Sequence, residues 1–283
     1  MPNSFHIHLV SDATGHTLES LIHAALVQFE GLKTVKHYWP MIRTPKQMER
    51  ILDDIKEHPG FVIHTLVDED IQRVLDKGLR DMKLPSISVL DPLIVALGDH
   101  FGHVPKRLPG RQYIMDADYF ARIDALDFTM AHDDGQLPEN IYEADIILVG
   151  VSRSSKTPTS IYLANRGYKT ANVPFVLGCP IALDNFSTEG AFVIGLTVSP
   201  DRLEHIRTSR LRVMNVEDDT HYVDPEGIRE EVQECKRYCA RNGWPVIDVT
   251  RRSVEEVAAA IINLYQEHRD SQGYEDDNNG DDP

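Results

Sequence analysis

Apolar positions in the first third of the chain switch repeatedly between the period of a strand and the period of a helix. FHIHLV (5–10) is a short β run. The chain turns at Ser11-Asp12-Ala13-Thr14-Gly15. Leu18, Leu21, Ile22, Ala25 and Leu26 then recur at helical spacing. TVKHYWP (34–40) reads as a strand, and TPKQMERILDDIKEH (44–58) as a helix with Pro45 at its first position. Pro59-Gly60 stops that helix. FVIHTLV (61–67), DEDIQRVLDKGLRDM (68–82) and SISVLD (86–91) follow as strand, helix and strand. Four strand–helix repeats of this length predict a doubly wound parallel sheet.

The stretch 98–114, GDHFGHVPKRLPGRQYI, breaks the alternation with Gly, Pro and basic residues, so a first α/β domain is assigned to 1–112. The alternation then resumes. ADYFARIDALDF (117–128) is helical, IILVG (146–150) is a buried strand, and TPTSIYLANRGY is a helix. VPFVLG (173–178) and FVIGLTV (192–198) are strands, and SPDRLEHIRTSRLRVM (199–214) is a helix with a basic face. GIREEVQECKRYCARNG (227–243), WPVIDVT (244–250) and SVEEVAAAIINLYQEH (253–268) complete the order as helix, strand and helix. Ser253 and Glu256 form a Ser-x-x-Glu capping box. The fold class is therefore α/β: an N-terminal doubly wound domain, then a P-loop kinase-like α/β domain over 113–268. The acidic stretch 269–283 has almost no apolar residue with which to offset its ordering entropy, and it reads as a disordered tail.

Composition narrows the class. A chain of 283 residues with 41% hydrophobic and 26% charged residues is ordinary for a globular protein of one or two domains. No apolar run approaches the ~20 residues of a membrane span, and no secretory pattern opens the sequence, so neither a membrane nor export is expected. The net charge of −16 weighs against a nucleic-acid partner, which needs a cationic footprint. Three cysteines are too few and too odd for a disulfide framework and suit a reducing cytoplasm. Cys235 and Cys239 share a helix face, but a metal pair needs further ligands, and semi-buried thiols are the plainer account.

The stretch ADIILVGVSRSSKTPTSIYLANRGY (144–168) carries the clearest chemistry. Gly150, Val151, Ser152, Arg153, Ser154, Ser155, Lys156 and Thr157 nearly spell G-x-x-x-x-G-K-[ST], the phosphate-binding loop, with Ser155 in place of the second glycine. Between a strand and a helix, such a loop aims backbone N–H groups and the positive helix end into one concavity. Lys156 then reaches the outer phosphates, Thr157 suits a Mg²⁺ ligand, and the Arg153 fork suits phosphate oxygens. The alternative is a basic loop-to-helix turn. MAHDDG (130–135) places His132, Asp133 and Asp134 together. A carboxylate there would take the proton of an attacking hydroxyl or hold Mg²⁺, though Asp-Asp-Gly is also common turn material. SDATG (11–15) lies where doubly wound sheets bind ligands, or serves as a helix cap through Thr14. His6 and His8 share one face of a strand, and nothing there demands a metal.

GVSRSSKTPTSIYLA, LDFTMAHDDG (126–135) and LTVSPDRLEHIRTSRL (196–211) together resemble the bacterial and plant regulatory proteins that act on pyruvate, phosphate dikinase or on phosphoenolpyruvate synthase. The resemblance runs over roughly residues 5–266. It implies a bifunctional enzyme, a serine/threonine kinase and phosphorylase. One activity moves the β-phosphate of ADP to a threonine of the dikinase and inactivates it. The other removes that phosphate with inorganic phosphate and releases pyrophosphate. It further implies that Gly150–Thr157 binds ADP and that a homodimer forms. Arg153-Ser154-Ser155-Lys156 looks like the dikinase branch, whereas the synthase branch usually has Cys-Gly at 154–155. On this reading Lys156 and Arg153 stabilise developing charge, and Asp133, ahead of Asp134, orients the target hydroxyl. Arg202, Arg207 and Arg210 would clamp phosphate or contact the partner, or else form a solvated face. Two other classes stay open: an ATP-dependent small-molecule P-loop kinase, and a non-catalytic nucleotide-responsive binding module.

Overall fold

The computed structural model describes residues 4–111, 117–133, 140–179, 183, 190–214 and 222–272. The chain divides into two compact units, Met1–Ile114 and Met115–Pro283. Each is built on a four-stranded, all-parallel sheet with helices between the strands.

The first unit runs β1 (Phe5–Val10), α1 (His16–Leu26), β2 (Thr34–Trp39), α2 (Pro45–Glu57), β3 (Phe61–His64), α3 (Glu69–Met82), β4 (Ser86–Ser88) and α4 (Asp91–Phe101). Its strand order is β2-β1-β3-β4. Alternation along the strands sorts the side chains onto two faces. Ile7, Leu9 and Ile63 pack with Leu18 and Ile22 of α1. Val10 and Val62 pack on the opposite face with Met48, Ile51 and Ile55 of α2 and Ile71, Leu75 and Leu79 of α3. Helices thus cover both faces, as in a doubly wound sheet. Thr44 caps α2 by accepting from the Gln47 N–H, ahead of Pro45 at the first helical position.

SISVLD forms only a three-residue strand, because Asp91-Pro92 opens α4. That helix has no 3.6-residue apolar stripe, and none of its residues is buried. The pair His6 and His8 joins a larger stack. The His8 and His37 ring centroids are 4.5 Å apart, His6 and His37 5.1 Å, and His6 and His58 5.2 Å. His8 is fully buried. Its Nδ1 accepts from Trp39 Nε1 at 3.2 Å, so Nε2 carries the proton given to the His58 carbonyl at 2.8 Å. No group of three or more His, Cys, Asp or Glu side chains placed to hold a metal ion occurs among the described residues.

The second unit runs α5 (Ala117–Ala131), a 3₁₀ turn (Ile141–Glu143), β5 (Ile146–Val151), α6 (Lys156–Ala164), β6 (Thr170–Phe175), β7 (Phe192–Thr197), α7 (Pro200–Met214), α8 (Pro225–Arg241), β8 (Val246–Asp248) and α9 (Val254–Ser271). The strand order β6-β5-β7-β8 repeats that of the first unit. β5 is central and wholly buried, which fits its unbroken apolar run. Ser253 and Glu256 form the expected capping box. The tail boundary at 269 falls inside α9, which continues to Ser271 because its last turn still finds partners. The His268 ring lies 5.2 Å from Phe192, and Arg269 faces the half-buried Asp145 carboxylate. The rest of the acidic stretch, 273–283, lies outside the described residues.

Burial and the neighbouring imidazoles hold His8 and His37 below the ordinary histidine range. The unfolded chain therefore takes up their protons first. The stability they contribute is complete above the unfolded value of about 6.5 and is lost as pH falls through the lower folded values. Thermal melts of wild type and His37→Gln from pH 8 to pH 5 are expected to show a shallower acid loss in the variant. Parallel curves would count against this linkage.

Candidate active site

The chain leaves the central strand at Gly150 with no room for a side chain. A Cβ there would lie 2.5 Å from the Leu196 carbonyl oxygen on β7 and 2.8 Å from Ser154 Oγ. Directly after it, the Val151 carbonyl gathers three donors: the Ser154 N–H at 3.4 Å, Ser154 Oγ at 2.9 Å and Lys156 Nζ at 2.9 Å. To fold back this tightly, the backbone takes left-handed angles at Arg153 (φ 72°) and Ser155 (φ 62°). Such angles cost a non-glycine residue on the order of 1–2 kcal/mol. Ser155 accordingly adopts the conformation that a glycine supplies in the usual motif. It is also the residue before α6, and no side chain caps that helix. Its first N–H groups and positive end stay available to an anion. Ser152, Arg153, Ser155, Lys156, Thr157, Pro158, Pro174 and Ile206 line a cavity of about 320 Å³. A larger cavity of about 860 Å³ in the first unit is lined mainly by apolar side chains, among them Phe5, Ile22, Leu26, Phe29 and Phe61. The smaller one has the convergent polar groups that chemistry needs.

At the start of α6, Thr157 Oγ1 donates to Asp133 Oδ1 at 3.1 Å. Asn172 of β6 donates through Nδ2 to that same carboxylate oxygen at 2.5 Å and to Thr157 Oγ1 at 3.0 Å. The carboxylate therefore stands at the end of the 150–157 loop, tied to α6 and β6. Asn172 Oδ1 is buried without a partner. A hydroxyl, a carboxylate and a spare amide oxygen form a hard-oxygen set of the kind Mg²⁺ takes.

Residues 7–262 match the kinase/pyrophosphorylase family over most of the chain. The chain belongs to that family. Three of its relatives carry the name "Putative pyruvate, phosphate dikinase regulatory protein". One, from Paramagnetospirillum magneticum, is 50% identical over 95% of this chain and 87% of its own length. Those from Rhizorhabdus wittichii (53%; 93% of this chain and 96% of the relative) and Novosphingobium aromaticivorans (52%; 93% and 94%) are similar to it to the same degree.

In this member of the kinase/pyrophosphorylase family, the expected site residues do not all meet. Gly150–Thr157 and Asp133 come together. Asp134 lies outside the described residues. His132 is 1% exposed and stacked on Phe128 at 3.8 Å, its Nδ1–H given to the Phe128 carbonyl at 2.7 Å. It does not line the loop cavity, and its backbone carbonyl anchors Asn172 instead. Of the three α7 arginines expected near the site, Arg202 and Arg210 are exposed, whereas Arg207 is buried against the loop. SDATG is used structurally. Ser11 Oγ accepts from Thr65 Oγ1 and the Ala13 N–H, and Asp12 accepts from the Val67 N–H. The residue before α1 is Gly15, at φ 85°, rather than Thr14. Cys235 lies behind the loop, near Lys156. Its hydrogen bond with Cys239 and its burial push its pKa up, so the thiol stays protonated.

Two further participants belong to no sequence motif. Asn172 is a polar residue in the middle of an apolar strand, which is a readable signal. Tyr222 lies beside the loop, its ring 4.6 Å from the Arg207 guanidinium and its carbonyl bonded to it. Burial pushes its phenol up, but the neighbouring Ser152 and Arg153 side chains and the Arg207 cation outweigh burial and draw it below its ordinary value.

The left-handed angle at position 155 yields a stability test. Ser155→Gly is expected to hold or raise the melting temperature. Ser155→Val, whose branched side chain resists φ above zero, is expected to lose about 1–3 kcal/mol. Equal losses in the two would mean that the loop does not depend on this bend.

Proposed function

We propose that this chain transfers the β-phosphate of ADP to a threonine of pyruvate, phosphate dikinase, inactivating it, and reverses the modification with inorganic phosphate. The observation that carries the reading is a phosphate loop bent around the Val151 carbonyl, with a carboxylate hydrogen-bonded to its Thr157. Family membership and the names of the relatives supply the direction in which to read it.

On this reading the α6 N-terminus and the loop amides cradle the β-phosphate, and Lys156 and Arg153 balance its charge. The threonine Oγ attacks the β-phosphorus, the bond to the bridging oxygen breaks, and AMP leaves. Asp133 takes the hydroxyl proton. Thr157 and Asp133 would hold Mg²⁺, which when bound neutralises phosphate charge. In the return reaction an oxygen of inorganic phosphate attacks the phosphothreonine phosphorus. Pyrophosphate forms, and the departing threonine oxygen takes up a proton that Asp133 has received from the attacking phosphate.

Lys156→Ala removes a charge-assisted hydrogen bond worth about 1.5–3 kcal/mol, so the Kd for ADP is expected to rise about tenfold or more by calorimetry. An unchanged Kd would remove the loop from the site. Asp133→Asn keeps shape and loses charge. Transfer in both directions is expected to slow by about 10²–10⁴-fold with ADP affinity held or slightly improved. Full activity in Asp133→Asn with loss in Asp134→Asn would move the role to the next residue.

A further inference from the structure

We infer that Tyr222 is a positioning residue: its hydroxyl fixes the Arg153 guanidinium over the phosphate cavity, and a buried Arg207–Glu231 pair holds Tyr222 in place. This inference rests on the reading of the loop as the site of phosphoryl transfer.

The mount is built behind the loop. Arg207 projects from α7 and is 3% exposed. Its guanidinium pairs with Glu231 of α8 at 2.8 Å and lies 4.6 Å from the centre of the Tyr222 ring. It also donates to the backbone carbonyls of Tyr222 and Ser152, both at 3.3 Å. One cation therefore ties together two helices, the residue that approaches α8, and the phosphate loop. A buried charge with this many partners is costly to move, because each displaced contact leaves an unpaired polar group in a dry setting.

The front of the mount is the Tyr222 hydroxyl, which faces the Ser152 and Arg153 side chains; the Arg207 bonds to the Tyr222 and Ser152 carbonyls hold the two segments together. Arg153 is exposed and stands on a backbone held at φ 72°. An exposed arginine on a loop samples many rotamers, and a planar fork is useful to phosphate oxygens only when it is aimed. A phenol that accepts one of its N–H groups fixes the fork's azimuth and leaves the other N–H groups to face the cavity. Arg153 lines that cavity and Tyr222 does not. Tyr222 thus acts through Arg153 rather than on the phosphate itself, and its benefit appears where the transferred group gathers charge.

Tyr222→Phe keeps the ring against Arg207 and deletes only the hydroxyl. At saturating ADP, transfer to the dikinase is expected to slow about 10- to 100-fold, while the Kd for ADP changes by less than about threefold. Arg153→Ala is expected to slow transfer at least as much. On that background Tyr222→Phe is expected to add less than about a threefold loss, since nothing remains to be aimed. The Arg153 side-chain Nε–H resonance, assigned through Arg153→Lys, reports the contact without any turnover. It is expected to be sharp and slowly exchanging in wild type and in Lys156→Ala, and averaged in Tyr222→Phe. The inference is overturned by a full rate in Tyr222→Phe, by losses that multiply in the double variant, by a parallel fall in ADP affinity, or by an unchanged Arg153 resonance. Absence of ADP-dependent transfer in wild type would instead refute the proposed reaction, with the resonance still deciding the contact.

Discussion

The Val151 carbonyl oxygen, at the end of β5, is the point around which the second unit's site turns. By accepting from Ser154 twice and from Lys156 Nζ, it folds a loop back within five residues and brings the lysine stem inward. That reversal demands left-handed angles at two non-glycine residues, and it requires Gly150 to lie bare against the Leu196 carbonyl. In return, α6 begins with its uncapped amides aimed at the concavity where the cations converge. The loop is braced on two further sides, by the Asp133–Thr157–Asn172 triangle and by Arg207 with Tyr222. Rigidity of this kind suits a reaction whose catalysis is mostly positioning and electrostatics.

The charge balance matters to the proposed chemistry. The chain as a whole carries −16, so a nucleotide meets a generally repulsive surface. Lys156, Arg153 and the helix end form a local exception, and the proposed phosphate binding depends on them. Asp133 lies at the edge of this exception. It offers little to a bound diphosphate, which it repels, and more to a hydroxyl that is losing its proton. In the proposed chemistry one carboxylate then serves both activities, taking a proton from the threonine in one and handing a proton to it in the other.

Much of this was legible in the residues. Lys156-Thr157 at a strand–helix junction marks the loop even with Ser155 in the glycine's place, since a small residue can be forced to positive φ by the hydrogen bonds around it. The strands of the first unit and the capping box of α9 are local signals, and both hold in the structure. α4 was not legible, because a uniformly apolar run without helical periodicity reads equally well as the end of a strand. The end of α9 was misplaced because the contacts of His268 and Arg269 are tertiary, whereas the composition there looks like a solvated tail. His132 looked chemical beside two aspartates, yet its ring is consumed by Phe128. Tyr222 gave no signal at all. Its value comes from Arg207, Ser152 and Arg153, which are far from it in sequence and close only after folding.

The central claim is that the β-phosphate of ADP is the group transferred and that a protein threonine receives it. The most direct measurement incubates the chain and purified pyruvate, phosphate dikinase with ADP labelled at the β-phosphate, alongside ATP labelled at the γ-phosphate. The expected result is label on a dikinase threonine from ADP with AMP as the other product, followed by release of labelled pyrophosphate when inorganic phosphate is added. Label arriving only from ATP, or none reaching the dikinase, would contradict it.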